Sequence, residues 1–397
     1  MTTKACRIPA VAMVSPVFGL NSLMRGQEMA NRIIDRVVFL DVMRIFAFIS
    51  VLIAHKMYDS LAFASTNEAL HITFRYLAQA VLPLCYGGGA GVVVFFLTSG
   101  YIITHVLQSE STPEFLLKRF FRIYPLFIVA VVMEGLFDHF LRGAAFAPPS
   151  VWIPRLLLIG DFFGTSLALG GVEWTLRLEI AFYIVMAMLK ASGLFRCQKY
   201  LPVVFLIIAT GVILLPPFPG AANLPLAYQT IYSSFLFMGA CVYLWETGNA
   251  KKNLCIATFF ILFGYFLFIL AKYQPQWKEF NYGFYAVAIF LMGWSMRYRL
   301  EDGPLIRLVS NMTFSVYLFH NWLWSYISSL VDYVGLLFIP AKAQILTVLF
   351  LVCFGLHKSV ERYGLRAGKI FLNKYRDFSA RKACLNTTEP QRESRMS

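Results

Sequence analysis

Long apolar windows recur along the chain, and this feature constrains the fold more than any other. A helix needs about 20 apolar residues to cross a hydrocarbon core of ~30 Å. We place ten such windows, with edges defined to within several residues: 38–58, 87–107, 123–138, 172–190, 200–217, 226–246, 254–272, 280–296, 310–330 and 333–356. These windows are too long and too uniformly apolar for the strands of a membrane barrel. The sequence therefore predicts an all-α, polytopic integral membrane protein with about ten transmembrane helices.

The composition supports the same class. Of the 397 residues, 58% are apolar or aromatic and 14% are charged, whereas a soluble chain carries about 25% charged residues. A soluble enzyme, a disordered chain and a disulfide-stapled small domain are therefore excluded. The seven cysteines are scattered and form no C-x-x-C pair, so they indicate neither a disulfide framework nor a zinc site. We expect no bound metal and no resident cofactor.

The basic residues divide unequally between the two sides of the membrane. With ten spans, 26 of the 35 Lys and Arg residues lie in one set of alternating segments and five in the other. The positive-inside rule then predicts a plasma-membrane protein with both termini in the cytoplasm. The net charge of +14 is thereby explained without a nucleic-acid partner. We expect a cytoplasmic segment 1–37, a transmembrane domain 38–356, and a basic cytoplasmic tail 357–397 that begins as a short helix on the anionic leaflet.

The first window carries several ionisable residues, which are costly in lipid and usually mark function. Asp41, Arg44 and His55 lie within it, and Lys56 stands near its end. On a helix, Arg44 and His55 lie within about 20° of the same face and ~16 Å apart along the axis. One face therefore carries a fixed cation near its cytoplasmic end and an imidazole near its outer end. The alternative is an Asp41–Arg44 pair that anchors the helix at the interface, with His55 turned towards water, and the spacing alone leaves both open.

A cluster of cations precedes the third window. The segment KRFFRIYP contains Lys118, Arg119 and Arg122. Guanidinium groups bind phosphate oxygens in a bidentate manner, so this cluster suits an anionic group such as a pyrophosphate. A positive-inside stop signal is an equally common explanation of the same pattern.

Polar residues in later windows suggest further site residues. Glu179 lies at a depth comparable to His55, where a carboxylate would orient the imidazole and stabilise its charged form. The alternative for Glu179 is a local pair with Arg177, although residues two apart on a helix point away from each other. Ser99 beside Gly100 is also explained as a packing notch. A histidine among aromatic residues, such as His320, is more often a hydrogen-bonded core group.

Five of these segments, taken in order, resemble the membrane-bound acyltransferase family 3, and the resemblance covers roughly residues 38–356. The match consists of an L-D-x-x-R opening with R-x10-H spacing in 40–55, FFLTSGYII in 95–103, KRFFRIYP in 118–125, WTLRLEIAFY in 174–183 and NMTFSVYLFH in 311–320. The sequence departs from the family pattern at Thr98, Thr175, Lys118, Phe314 and Arg177. Of these, Arg177 adds a charge to which we assign no role.

The resemblance implies an enzyme that transfers an acyl group, commonly acetyl, from cytoplasmic acyl-CoA to a hydroxyl of an extracytoplasmic or membrane-associated carbohydrate, such as an exopolysaccharide or lipopolysaccharide. His55 would act as general base or as a covalent acyl relay. The implied catalytic residues are His55, Glu179 and Asp41; those holding acyl-CoA are Arg44, Arg119 and Arg122; and those contacting substrate are Ser99, Trp174, Tyr183, Tyr317 and His320.

Two functions of other classes remain open at this point. Buried Arg, Glu and His also line the paths of transporters and of flippases for glycan or lipid precursors, but we find no inverted repeat. A receptor or scaffold would leave the shared face of Arg44 and His55 unexplained. We expect the stand-alone form of the family, without a fused lipase-like domain, and we leave a homo-oligomer and the identity of the acceptor open.

Overall fold

The structure, a computed structural model, describes residues 37–222 and 224–388, except for the side chains of 278–280 and 379–388. Within these residues the secondary structure is helical and contains no strand. The predicted all-α class is therefore confirmed. Of the predicted cytoplasmic segment 1–37, residues 1–36 lie outside the described residues, as do the last nine residues of the tail.

Fifteen α-helices follow one another in the described part of the chain. The first eight are α1 (Val38–Lys56), α2 (Tyr58–Thr66), α3 (Ile72–Cys85), α4 (Gly89–Val106), α5 (Thr112–Arg142), α6 (Pro149–Leu156), α7 (Trp174–Ala191) and α8 (Leu201–Leu214). The remaining seven are α9 (Tyr228–Glu246), α10 (Lys252–Tyr273), α11 (Tyr282–Ser295), α12 (Pro304–Phe319), α13 (Trp322–Val334), α14 (Ala341–Leu356) and α15 (Arg362–Thr388).

Six helical stretches of the described residues are long and apolar enough to cross a membrane. They are Val38–Lys56, Ile72–Val106, Thr112–Arg142, Leu194–Leu214, Lys252–Tyr273 and Ala341–Phe378. A seventh apolar helix, Tyr282–Ser295, is shorter than a span requires. The chain is thus a multi-pass membrane protein, and the predicted count of about ten spans is not confirmed.

The predicted span 310–330 is wrong as a continuous helix, because it breaks at His320 and Asn321 between α12 and α13. The ring of His320 contacts two carbonyl oxygens of its own helix, with Nδ1 at 2.8 Å from Tyr317 and 3.2 Å from Val316. A side chain that bonds to backbone carbonyls competes with the regular helical ladder. Hydropathy does not detect this break, since apolar residues surround it.

Glycines allow a close approach of α4 and α9 in the core. A Cβ atom on Gly100 would lie 1.8 Å from the carbonyl oxygen of Leu236, and one on Gly239 would lie 2.0 Å from that of Leu97. Small residues let transmembrane helices pack at such short range. The packing notch anticipated at Ser99 and Gly100 therefore belongs to Gly100, which leaves the Ser99 hydroxyl for a different contact.

The basic tail forms a longer helix than predicted. α14 passes through a π-helical turn, His357–Glu361, into α15, which has 27 residues rather than the expected short helix. Gly364 and Gly368 lie against Pro125 and Phe121 of α5, since a Cβ on either glycine would come within 3 Å of those side chains. The tail helix therefore packs on α5, the helix that also carries Arg119 and Arg122.

Candidate active site

A cavity lined by three guanidinium groups lies among α1, α4, α5, α7 and α12. We call it the arginine chamber. It has an empty volume of about 880 Å³, part of which is open to solvent. Its polar lining comprises Arg44, Thr98, Ser99, Arg119, Arg122, Thr175, Glu179, Tyr183, Thr313 and Tyr317. With three arginines and one carboxylate, this lining carries a formal excess of positive charge and suits a polyanion.

Two helices supply the cations of the arginine chamber. Arg119 and Arg122 project from α5, one helical turn apart, and Arg44 comes from α1. Lys118 does not line the chamber, because its ammonium group lies 2.9 Å from Glu110 and 2.8 Å from Glu114. The cation cluster of the sequence is thereby divided into two arginines that face the cavity and a lysine engaged in ion pairs.

Asp41 lies next to Arg44 and far from His55. Its Oδ1 accepts a hydrogen bond of 2.6 Å from Ser310 and lies 3.5 Å from Nη1 of Arg44. Fourteen residues of continuous α1 separate it from His55, which corresponds to ~21 Å along the axis. Asp41 is therefore too distant to act directly with His55. It instead links α1 to α12 and holds the guanidinium of Arg44.

Glu179 contacts two hydroxyl groups of the arginine chamber. Ser99 donates to it over 2.7 Å, and Tyr183 donates to the same carboxylate oxygen. The predicted pairing of Glu179 with His55 is not found among the described contacts. The depth along the membrane was estimated from the sequence, but the face of α7 that carries Glu179 turns towards the arginines.

A second cavity, which we call the histidine chamber, adjoins the first and has an empty volume of about 470 Å³, also partly open. His55 lines it and is exposed there. Much of the remaining lining is backbone, since four of its residues are glycines. The full set is Val51, His55, Gly87, Gly88, Val92, Gly170, Gly171, Val172, Trp174, Tyr317 and Asn321.

The hydrogen-bond partner of His55 is a second histidine. Nδ1 of His55 lies 3.0 Å from Nε2 of His320, and the two rings stack with centroids 5.2 Å apart. His320 is 1% exposed. The adjacent Lys56 donates to the carbonyl oxygen of Asn321 over 3.2 Å. The end of α1 is thus attached to the break between α12 and α13 at two consecutive residues.

The two chambers share a wall of three residues, Val51, Val92 and Tyr317. The Tyr317 hydroxyl donates to the carbonyl oxygen of Val172 over 2.8 Å and lies 2.5 Å from the Thr175 hydroxyl. Its ring is parallel to that of Phe95, with centroids 6.4 Å apart. Because these contacts fix Tyr317 at its hydroxyl and at its ring, the wall is held by packing and by hydrogen bonds.

The remaining predicted substrate residues fall into one chamber or the other. Ser99 and Tyr183 line the arginine chamber, and Trp174 lines the histidine chamber with its ring 5.1 Å from that of Tyr232. Arg177 lines neither chamber. Sequence reasoning missed Asn321 and the glycine pairs, although a glycine pair inside an apolar region is itself a signal of close backbone approach.

These features define a class of protein: a multi-pass membrane protein with an arginine-lined chamber beside a second chamber that is lined by an exposed histidine. The chain belongs to the Acyltransferase domain family, whose sequence model matches residues 37–358. It is accordingly a member of an acyltransferase family of membrane proteins.

Individual relatives match shorter stretches of the chain. Acyltransferase MdmB from Streptomyces mycarofaciens is 30% identical over 28% of this chain and 30% of its own length. Nodulation protein 10 from Rhizobium leguminosarum bv. viciae is 27% identical over 38% and 43%. Peptidoglycan O-acetyltransferase OatA from Listeria monocytogenes is 35% identical over 25% and 19%. The chain thus matches less than half the length of each, and no solved structure matches it.

Proposed function

We propose that the protein is a membrane O-acyltransferase that takes an acyl group, acetyl in the first instance, from acyl-CoA in the arginine chamber. It transfers this group to a hydroxyl of a carbohydrate in the histidine chamber. The observation that carries the proposal is the shared wall of Val51, Val92 and Tyr317 between three arginines and an accessible imidazole. An O-acetyltransferase of peptidoglycan among the relatives supports a polysaccharide acceptor.

The donor fits the arginine chamber by charge and by length. The phosphates of CoA would bind Arg44, Arg119 and Arg122, because guanidinium forks match phosphate oxygens. Along α1, ~16 Å separates Arg44 from His55. This distance is comparable to the extended pantetheine arm, so the thioester would reach the wall while the phosphates stay among the arginines.

The hydrogen bonds of His320 determine which nitrogen of His55 is free. Nδ1 of His320 lies 2.8 Å from the carbonyl oxygen of Tyr317, which can only accept, so Nδ1 carries the proton. With both rings neutral, Nε2 of His320 then accepts from Nδ1 of His55. The lone pair of His55 therefore resides on Nε2, the nitrogen outside this pair. That is the protonation pattern of a general base.

The proposed reaction uses this lone pair. Nε2 of His55 removes the proton from the acceptor hydroxyl while the oxygen attacks the thioester carbonyl. The C–S bond then breaks, and the CoA thiolate takes the proton from the imidazolium, leaving an ester, free CoA thiol and neutral His55. We favour this direct transfer over a covalent acyl-histidine, which is needed only if the thioester and the acceptor never meet. Val51, Val92 and Tyr317 each line both chambers, so the thioester has a single layer of side chains to pass.

The orientation belongs to the same proposal. The excess of Lys and Arg on one side supports a cytoplasmic arginine chamber, with both termini in the cytoplasm of a plasma-membrane protein. Cysteines introduced in the connection between α5 and α7 should then react with an impermeant reagent added outside cells. Protection of that connection would reverse the orientation.

The function is tested by incubating purified protein with radiolabelled acetyl-CoA and a panel of soluble peptidoglycan strands and 4-nitrophenyl glycosides. We expect transfer by the wild type and a loss of roughly 10²- to 10⁴-fold in kcat for His55→Ala, with acetyl-CoA still bound. His105→Ala is the matched control, since His105 lines neither chamber and lies against Tyr243. If the wild type neither binds nor consumes acetyl-CoA, the enzyme assignment is wrong.

A further inference from the structure

The segment 157–173, between α6 and α7, builds one side of the histidine chamber. It contributes Gly170, Gly171 and Val172 to the lining. Apart from two short 3₁₀ turns it has no regular structure. Two of its leucines, Leu158 and Leu169, have φ values of 57° and 58°. Such left-handed backbone in residues other than glycine persists only where surrounding contacts impose it.

Glu134 and Asn321 bond directly to the backbone of Leu169 and Gly170. Arg177, one turn into α7, holds the segment at other points. Its guanidinium lies 2.6 Å from Asp161, 2.7 Å from Glu173 and 3.3 Å from the carbonyl oxygen of Thr165. These three residues stand near the beginning, the middle and the end of the segment. The Arg177 residue is 2% exposed. One buried side chain therefore fixes three separate points of an otherwise irregular loop.

The two carboxylates continue the network into neighbouring elements. Asp161 accepts hydrogen bonds of 2.5 Å from Tyr228 and 2.9 Å from Gln229, both on α9. Glu173 accepts one of 2.8 Å from the backbone N–H of Ala168. All ionic groups of this cluster are thus paired, as a buried charge requires. The segment is fixed to α7 and α9 at once.

The fit around the guanidinium is close. A Cβ atom added to Gly160 would lie 2.5 Å from Nη2 of Arg177. The planar fork reaches two carboxylates and one carbonyl in different directions, whereas an ammonium group at the end of a lysine is a point charge on a flexible stem. A lysine at position 177 would therefore keep the positive charge and lose most of the directed contacts to these three groups.

We infer that Arg177 is a positioning residue for the acceptor: through Asp161, Thr165 and Glu173 it holds the segment 157–173 so that Gly170–Val172 shape the histidine chamber. The inference rests on the proposed function, in which the acceptor occupies that chamber. Because Arg177 lines neither cavity, it acts through the backbone of the segment and not by contact with substrate. Asp161, Thr165 and Glu173 likewise do not line the arginine chamber.

The kinetic test separates the two substrates. For Arg177→Lys and Arg177→Met, we expect the KM of the best acceptor in the panel to rise at least tenfold, while the dissociation constant of acetyl-CoA and kcat at saturating acceptor stay within about twofold. Arg177→Lys should fall between wild type and Arg177→Met. The matched control is Arg297→Lys, which alters an Arg–Glu pair of 2.8 Å outside both chambers and should leave the acceptor KM unchanged.

Amide hydrogen exchange provides a readout that does not depend on activity. In Arg177→Lys, exchange should accelerate in 157–173 and stay unchanged in α1, α4 and α5. Asp161→Asn, which weakens the same network from the other side, should reproduce the pattern if Arg177→Met does not fold. Unchanged exchange in the segment, equal acceleration throughout the protein, or equal loss of donor and acceptor affinity would each overturn the inference. If the wild type transfers no acyl group, the proposed function fails and exchange still decides whether Arg177 orders the segment.

Discussion

The arginine and histidine chambers adjoin each other but are built differently. Charged and hydroxyl side chains of long helices form the polar part of the first, whereas four glycines and the ends of broken helices form much of the second. Side-chain charges on helices provide a fixed electrostatic site for one kind of ligand. A lining of backbone and glycine defines the shape of a chamber and adds little charge to it. In the proposed function, the first chamber therefore binds the polyanionic donor by charge, and the second selects the acceptor by shape.

The largest effect is expected when a cation of the arginine chamber is removed, and this change tests whether that chamber binds the donor. Arg119→Ala or Arg122→Ala should raise the dissociation constant of acetyl-CoA roughly 10- to 150-fold, since a hydrogen bond to a charged group contributes about 1.5–3 kcal/mol. The kcat at saturating donor should change much less. Isothermal titration calorimetry in detergent measures the binding directly.

The control for that prediction is Lys118→Ala, because Lys118 belongs to the same cluster but pairs with Glu110 and Glu114 outside the cavity. It should leave donor binding near the wild-type value. If Lys118→Ala weakens donor binding as much as Arg119→Ala does, the whole cluster attracts the donor by its total charge. Equal weakening in His55→Ala would show that the division of roles between the chambers is wrong.

A smaller effect is expected in the second chamber when the partner of the base is removed. His320→Ala deletes a hydrogen bond that selects the tautomer of His55, and such a bond contributes about 0.5–1.5 kcal/mol. We therefore expect kcat to fall by about 2- to 13-fold, with unchanged affinity for acetyl-CoA. Steady-state kinetics check the expected fall in kcat, and binding measurements check the affinity for acetyl-CoA, both beside the His105→Ala control. A kcat equal to that of wild type would remove His320 from the mechanism.

A mutation can open the wall between the arginine and histidine chambers. Tyr317→Ala would join the chambers and admit water to the thioester, so hydrolysis of acetyl-CoA without acceptor should rise severalfold. Tyr317→Phe keeps the ring and loses only the hydroxyl contacts to Val172 and Thr175, and it should hydrolyse little more than wild type. Release of free CoA thiol, followed with a thiol reagent, distinguishes them. Equal hydrolysis by both variants would mean that the ring does not separate the chambers.

The smallest effect on activity is expected for a change that concerns stability. Ser310→Ala removes the 2.6 Å hydrogen bond to Asp41 between α12 and α1, and should lower the free energy of unfolding by about 1.5–3 kcal/mol, because the acceptor is a carboxylate. Transfer by the folded protein should stay near wild type, because Asp41 is ~21 Å from His55 along α1. Thermal unfolding beside Ser295→Ala, an exposed serine bonded within its own turn, provides the comparison. A loss of kcat without loss of stability would restore a catalytic role for Asp41.

The sequence predicted the parts of the site that depend on one helix. Arg44 and His55 share a face because helical periodicity is regular, and the spacing alone places them ~16 Å apart. The two arginines of α5 were identified from their cluster and from the KRFFRIYP motif, and they also lie three positions apart, on one side of a helix. The all-α membrane class followed from composition and window length.

The contacts between helices could not be predicted from the sequence. His55 and His320 are 265 positions apart, and no spacing rule relates residues on separate helices. Glu179 was paired with His55 from its expected depth, but it contacts Ser99 and Tyr183, because depth does not determine which way a side chain faces. No role could be assigned to Arg177 from the sequence. Its partners Asp161 and Glu173 lie in an irregular segment whose path depends on the tertiary structure.

The glycine lining of the histidine chamber has a consequence for how the protein can evolve. Any substitution of Gly87, Gly88, Gly170 or Gly171 adds side-chain volume, so point mutations at these positions cannot enlarge the cavity. A Cβ on Gly171 would meet no atom within 4 Å, although its φ of +92° makes the substitution strained. All four glycines have positive φ values, so a single mutation that narrows the cavity for a slimmer acceptor also strains the backbone, and a bulkier acceptor requires the backbone to be rebuilt.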